Sequence, residues 1–73
     1  MAIEQHQISQ LTSREIHVLV RVAEGLSNKQ IATRLGLSEK TVRNHLSRIY
    51  VKLQACNRTD AVMTAMRHGL RVF

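Results

Sequence analysis

Apolar residues recur at helical spacing along this chain, and each apolar segment follows the same short signal. In that signal an apolar residue precedes Ser, Thr or Asn, and another apolar residue follows five positions after the first. This order is typical of a helix N-cap enclosed by a hydrophobic staple. It occurs at four places, with the capping residues Thr12, Ser27, Ser38 and Asn57. The pattern predicts an all-α fold whose helices span about residues 13–24, 28–35, 39–53 and 58–68.

The same periodicity predicts the core. Each helix is expected to bury one apolar stripe, and Val18 and Val22 widen the arc of the first helix enough to require a second neighbour. Outside the third helix, the expected stripes are Ile16, Leu19, Val20 and Ala23; Ile31, Ala32 and Leu35; and Ala61, Val62, Ala65 and Met66. Gly25, Gly36 and Gly69 are expected to end these helices.

The third helix has two different faces. At about 100° per residue, an apolar stripe and a polar stripe lie nearly opposite each other. The apolar stripe is Val42, Leu46, Ile49 and Leu53, and the opposite face is Lys40, Asn44, Ser47 and Val51, flanked by Arg43 and Arg48. This outward face contains no acid after Glu39, whereas a merely solvated face usually mixes Glu with Lys. The arrangement favours a helix that packs on one side and binds a partner on the other.

The outward residues match the chemistry of DNA base edges. Arg binds guanine and Asn binds adenine through paired hydrogen bonds, and Ser suits several bases. A short helix, a turn at Gly36 and a longer basic helix form a helix-turn-helix, whose second helix enters the DNA major groove. We therefore predict base contacts from Lys40, Arg43, Asn44 and Ser47.

Further polar residues are candidates for contacts with DNA phosphates. Asn28 and Lys29 lie at a helix start, where unpaired backbone N–H groups also attract anions. Thr41 and His45 lie between the two faces of the third helix, where each binds a phosphate or packs against the second helix. Arg48 flanks the outward face and is expected to contact the DNA backbone.

Three charged residues have a second interpretation within the fold. Lys52 and Arg58 either reach the DNA backbone or are structural. Glu15 is expected to complete a capping box with Thr12, with a basic side chain as a further partner, because DNA phosphates repel a carboxylate.

Charge supports a polyanionic partner. The 73-residue chain carries 11 Lys and Arg against 5 Asp and Glu, a formal net charge of +6. Seven of the basic residues follow Ser38, where the only acids are Glu39 and Asp60. This clustering favours nucleic acid, although acidic lipids would attract the same residues. No apolar run approaches the roughly 18 residues of a membrane span, and we expect a cytoplasmic protein.

No residues are grouped for catalysis, metal binding or a cofactor. The four histidines are far apart in the chain, and no pair has the spacing of zinc ligands. Cys56 has no second cysteine to pair with, and we expect it to pack on Ala61 at a helix start. The chain is therefore predicted not to be an enzyme.

Several of these segments together resemble the LuxR-type helix-turn-helix domain, the group of GerE, NarL and FixJ. The resemblance covers about residues 11–70 and rests on the segments 11–15, 23–32, 37–45, 52–53, 58–62 and 69–70. It implies a four-helix domain of a bacterial transcription regulator that binds inverted or direct DNA repeats as a dimer.

The resemblance also implies roles for individual residues. Its base-reading positions fall on Arg43, Asn44 and Ser47, and relatives often have Lys or Arg where this chain has Ser47. Its backbone-contacting positions fall on Asn28, Lys29, Ser38, Thr41, His45 and Lys52. In the fourth helix, Val62, Met63 and Met66 form the expected dimer face.

The sequence is consistent with more than one domain organisation and more than one function. Residues 1–10 are expected to be a flexible lead-in or linker to a DNA-binding domain at 11–73. The domain is either free-standing or the effector part of a two-component response regulator, with RNA polymerase as a further expected partner. The alternative functions are a promoter-recognition module of a sigma factor and a basic helical domain that binds protein or membrane.

Overall fold

The computed structural model describes residues 10–71, and within this range it has four α-helices and no strand. The helices are α1, Ser13–Ala23; α2, Asn28–Leu35; α3, Glu39–Leu53; and α4, Arg58–Arg67. These bounds agree with the predicted ones to within one residue. Of the predicted lead-in, residues 1–9 lie outside the described residues.

The predicted capping signals form the helix starts. At α1, Thr12 Oγ1 accepts a hydrogen bond from the Glu15 N–H at 3.1 Å, and Glu15 Oε1 accepts one from the Thr12 N–H at 2.8 Å. Ser27 and Gln30 make the same reciprocal pair at α2, with the same two distances. These capping boxes satisfy backbone donors that the helix itself cannot pair.

The helix ends share one hydrogen-bond pattern. After each helix, an N–H returns to the carbonyl five residues earlier, as in a Schellman motif. The pairs are Leu26 N–H to Arg21 O, 3.1 Å; Leu37 N–H to Ala32 O, 2.8 Å; Ala55 N–H to Tyr50 O, 2.8 Å; and Leu70 N–H to Ala65 O, 3.0 Å. Leu26 and Leu37 also precede the caps Ser27 and Ser38, so one apolar residue closes a helix and introduces the next. This sharing keeps the loops short and fixes the turn before α3.

The core surrounds the inner face of α3, which packs against each of the other helices. The prediction for this face is confirmed, because Val42, Leu46, Ile49 and Leu53 are all buried. At α2, Ile31 and Ala32 are buried as predicted, and Leu35 is half-buried at the edge.

The predicted buried stripe of α1 is partly wrong. Leu19 is buried as expected, and Val18 and Val22 are covered as predicted, but Ile16, Val20 and Ala23 are only half-buried. The helix contacts α2, α3 and α4 at once, and these contacts turn the Val18 side inward.

The predicted core of α4 also needs correction. Ala61 and Ala65 are buried as expected, together with Thr64, while Val62 is half-buried and Met66 is 43% exposed. Small residues on the inner side let α4 approach the core closely, which leaves the larger ones outside. Cys56 does not pack on Ala61 as expected but is exposed, and its neighbour Ala55 packs against the core instead.

Candidate nucleic-acid interface

The outward face of α3 consists of long basic and polar side chains in solvent. Lys40, Arg43, Asn44, Ser47 and Arg48 are all exposed, as the angular pattern predicted. The opposite side of the same helix is buried. The core therefore holds α3 firmly and presents these side chains together to a partner.

Ser47 uses its hydroxyl group within the helix. Its Oγ–H donates to the backbone carbonyl of Arg43 at 3.1 Å. A hydroxyl bonded in this way offers a lone pair to a partner but no hydrogen. In this conformation the Ser47 hydroxyl can accept a hydrogen bond from a partner group such as a base amino group but cannot donate one.

The start of α3 combines its cap with a hydroxyl pair. Ser38 Oγ accepts the Thr41 N–H at 3.0 Å and donates to Thr41 Oγ1 at 2.9 Å. Thr41 accepts this second bond, so its own hydroxyl hydrogen remains for an acceptor such as a phosphate oxygen. The one-sided cap reflects the sequence, which has Thr41 where a capping box has Glu or Gln.

The start of α2 is tied to α4 by Arg58. Its Nη1 donates to Asn28 Oδ1 at 2.7 Å, and its Nη2 donates to the Leu26 carbonyl at 2.6 Å. Of the two interpretations of Arg58, the structure therefore shows the structural one. Because Asn28 Oδ1 accepts from Arg58, the amide presents Nδ2–H as its donor beside the exposed Lys29.

Lys52 bridges α3 and the start of α1. Its ammonium donates to Glu15 Oε1 at 2.7 Å and to the Gln10 carbonyl at 3.1 Å. Glu15 is only 2% exposed, and it is also the capping residue of α1. The prediction that Glu15 combines a cap with a basic partner is confirmed. In this conformation Lys52 compensates a buried carboxylate, so its ammonium group is engaged within the fold.

The environment of Glu15 stabilises its ionised form. Burial raises the pKa of Glu15, but the hydrogen bonds from Lys52 and Thr12 and the charge of Lys52 outweigh burial. The pKa therefore lies below the ordinary value of 4.5. The carboxylate is charged at neutral pH and holds Lys52 against α1.

His45 packs with one ring nitrogen inside the protein. The residue is half-buried, and Nδ1 is buried with no hydrogen-bond partner among the described residues. Any polar contact that the ring makes with a ligand therefore goes through Nε2. Packing and phosphate binding, the two interpretations of His45, are compatible because they use different atoms of the ring.

The predicted dimer face on α4 forms an apolar surface. Met63 is 53% exposed and Met66 is 43% exposed, and the half-buried Val62 lies beside them in the sequence. Met63 and Met66 are three positions apart, so they project from the same side of the helix. Met63 and Met66 lie on the side of α4 away from the buried Ala61 and Ala65, and Val62 lies between the two sides.

Residues 10–71 meet the requirements of neither a metal site nor a membrane-spanning helix. Within this range, no three His, Cys, Asp or Glu side chains are grouped so that they could hold a metal ion. None of the helices in the same range combines the length and apolarity that crossing a bilayer requires.

Comparison with known proteins points to one family. The sequence model of the family described as bacterial regulatory proteins, luxR family, matches residues 9–65. Among curated proteins, the transcriptional regulatory protein LnrK of Bacillus subtilis is 44% identical over 68 residues, which are 93% of this chain and 31% of that protein. The response regulator VraR of Staphylococcus aureus is 43% identical over 60 residues, which are 82% of this chain and 29% of that protein.

A solved structure shows the same fold. The crystal structure of the response regulator ChrA, from a heme-sensing two-component system, superposes with a TM-score of 0.80 at 46% sequence identity. The match covers 84% of this chain and 30% of that one. The chain thus spans about a third of the length of the relatives that it matches.

Proposed function

This chain belongs to the luxR family of bacterial regulatory proteins, a family of DNA-binding transcription regulators, and we propose that α3 is the helix that enters the major groove. The single observation that carries the proposal is the division of α3 into a buried face and an exposed basic face. A helix fixed by its inner face can hold its outer side chains at a constant position relative to base edges.

Base reading is assigned to the N-terminal part of that face. Arg43 donates two hydrogen bonds to a guanine, and Asn44 pairs with the amino and N7 groups of an adenine. Lys40 reaches a guanine or an adjacent phosphate. Ser47 acts only as an acceptor, because its hydroxyl hydrogen is bonded to the Arg43 carbonyl.

Register on the DNA comes from phosphate contacts on both sides of α3. Asn28 donates through Nδ2, Thr41 through its hydroxyl group and His45 through Nε2, while Lys29 and Arg48 contribute charge. Ser38 orients Thr41 and caps the helix whose N–H groups face the phosphate. Lys52 contributes least among the lysines, because Glu15 compensates its charge.

The proposed longer protein is a response regulator with this chain as its DNA-binding part. VraR and ChrA are response regulators, and the chain covers about a third of each. Two copies would bind repeated half-sites through the apolar surface of Val62, Met63 and Met66 on α4, and RNA polymerase is a further proposed partner. The family match supports an independent regulator over a sigma-factor module or a basic domain that binds protein or membrane.

Replacement of Arg43 tests this assignment. A preferred site is first selected from random double-stranded DNA with the wild-type chain, and a repeat within that site would support the proposed dimer. We expect Arg43→Ala to weaken binding to the selected site by about 1–3 kcal/mol and binding to random DNA much less. The measurement is fluorescence anisotropy at fixed salt.

The matched control removes the same charge elsewhere. Arg67 is exposed at the end of α4, and Arg67→Ala should lower affinity for both DNAs to a similar, small extent. If Arg43→Ala weakened the selected and random DNAs equally, Arg43 would not be a base reader. If the wild-type chain bound neither DNA at low salt, the assignment of α3 to the major groove would fail as a whole.

A further inference from the structure

Val51 is an apolar residue on the basic face of α3. It is 77% exposed, more than the exposed methionines of α4 at 53% and 43%. At 3.6 residues per turn, it points within about 60° of Lys40, Asn44 and Ser47. The stripe proposed to read bases therefore ends in a solvent-exposed valine one turn beyond Ser47.

The fold gives no reason for valine at this position. Val51 does not belong to the core, and β-branched residues favour helices less than Lys, Arg or Ala, which would suit an exposed helical position. Single exposed apolar residues are common on protein surfaces, so exposure alone has little meaning. The position of Val51 is informative because it continues a face on which the other residues are polar.

The surface immediately around Val51 exposes apolar atoms. The residue lines a shallow concavity of about 290 Å³ with Ser47, Arg48 and Lys52. The Ser47 hydroxyl donates to the Arg43 carbonyl, and the Lys52 ammonium is turned to Glu15. Ser47 and Lys52 therefore present mainly aliphatic atoms to a ligand.

We propose that Val51 is a specificity-determining residue that packs against the C5-methyl group of a thymine. This inference rests on the proposed placement of α3 in the major groove. There the thymine methyl is the apolar group that base pairs present, and aliphatic side chains recognise it by contact. Asn44 and Arg43 would read hydrogen-bonding edges, and Val51 would read a methyl group farther along the same helix.

The helix geometry sets where that thymine lies. Val51 follows Asn44 by seven residues, about 10 Å along the helix axis. Base pairs are spaced by about 3.4 Å along the duplex. With the helix axis along the groove, the thymine lies about three base pairs from the pair that Asn44 contacts, on the side of the α3 C-terminus.

Removing single methyl groups from the DNA tests the contact. In the selected site, each thymine is replaced in turn by deoxyuridine, which pairs normally but lacks the C5-methyl group. For the wild-type chain, one replacement should weaken binding about fourfold, the effect of one buried methyl group. Val51→Ala should weaken binding to the unmodified site by a similar factor and should show no further loss on the deoxyuridine site.

A matched variant and circular dichroism complete the design. Val20→Ala makes the same truncation at a half-buried position of α1, outside the core cluster, and should leave the response to deoxyuridine unchanged. Val51→Ala should retain the helical spectrum, because Val51 makes no core contact and alanine favours helices.

Three outcomes would overturn the inference. The first is that the losses of affinity from Val51→Ala and from deoxyuridine multiply, as they would for independent contacts. The second is that no thymine methyl group affects binding. The third is that Val51→Ala changes self-association while its response to deoxyuridine stays that of the wild-type chain. In each case a loss by Arg43→Ala that is larger on the selected site than on random DNA would still support the proposed function, which would stand without the thymine contact. If Arg43→Ala weakened both DNAs equally, Arg43 would not be a base reader, and if the wild-type chain bound neither DNA at low salt, the proposed function itself would be wrong.

Discussion

Lys52 and Arg43 lie on the same helix, but the charge of Lys52 is paired within the fold and the charge of Arg43 is exposed to solvent. At the junction of α3 and α1, Lys52 is bound to Glu15, which is 2% exposed, and to a backbone carbonyl. On the outward face, Arg43 is exposed and no acid follows Glu39 on the helix. Positive charge is therefore paired within the fold where a carboxylate is buried beside it, and exposed to solvent on the face that we propose binds DNA. Net charge alone does not distinguish these two uses.

The strongest test of the junction is Glu15→Ala. This change removes the α1 capping box and leaves Lys52 without its carboxylate, so we expect a loss of about 2–3 kcal/mol in the free energy of unfolding. Urea denaturation followed by circular dichroism measures the loss. DNA selectivity of the folded fraction should stay the same, since Glu15 lies away from the outward face.

A second ion pair on α1 provides the control. Arg21 and Glu24 are joined at 2.8 Å, but their side chains are 30% and 32% exposed. Glu24→Ala should therefore cost less than about 1 kcal/mol. Equal losses for Glu24→Ala and Glu15→Ala would show that the buried junction has no special role in stability.

The next test compares the two regions directly, through Lys52→Gln at the junction and Lys40→Gln on the outward face. Lys52→Gln leaves the Glu15 carboxylate without its cation, and we expect a loss of about 1–2 kcal/mol in stability. Lys40→Gln should alter stability by less than about 0.5 kcal/mol. In DNA titrations at several salt concentrations, Lys40→Gln should reduce the slope of log K against log salt by about 0.9.

The salt dependence of Lys52→Gln decides which region Lys52 belongs to. A slope close to that of the wild-type chain, with reduced stability, supports the structural role that its hydrogen bonds indicate. A slope reduced as much as in Lys40→Gln, with stability unchanged, would contradict the structural role and support the phosphate contact that the resemblance implies for Lys52.

The sequence predicted well those features that depend on neighbouring residues. The helix starts follow from pairs such as Thr12 with Glu15 and Ser27 with Gln30, which are three positions apart and bond in the structure. The two faces of α3 follow from periodicity, because a straight helix fixes the angle between its own side chains. Both kinds of information are local, so no knowledge of the other helices is needed.

Features set by distant residues were predicted less well. The wide apolar arc of α1 correctly indicated a second neighbour over Val18 and Val22, but only the positions of α2, α3 and α4 decide that Ile16, Val20 and Ala23 are half-buried. Arg58 and Asn28 are thirty positions apart, and their hydrogen bond has no periodic signal. The Ser47 bond to Arg43 is local, but the sequence alone does not decide whether a serine hydroxyl points to its own helix or to solvent.

The smallest expected effect is a pH dependence that belongs to the junction and not to the outward face. In the folded chain the pKa of Glu15 lies below its ordinary value of 4.5, because the Lys52 and Thr12 hydrogen bonds and the Lys52 charge outweigh the upward effect of burial. Between the two pKa values the unfolded chain binds a proton that the folded chain does not. The free energy of unfolding should therefore fall as the pH decreases from 4.5 through the folded pKa.

Glu15→Gln isolates this contribution from the other acids, since glutamine can still cap α1 but does not titrate. We expect the stability difference between the wild-type chain and Glu15→Gln to be constant above the ordinary Glu pKa and to shrink below it. Urea denaturation at a series of pH values from neutral to acidic gives this difference, and contributions that the two proteins share cancel. Parallel stability curves would mean that Lys52 does not stabilise the charged form of Glu15. The same curves for Lys40→Gln should run parallel to the wild type, because Lys40 has no buried carboxylate beside it among the described residues.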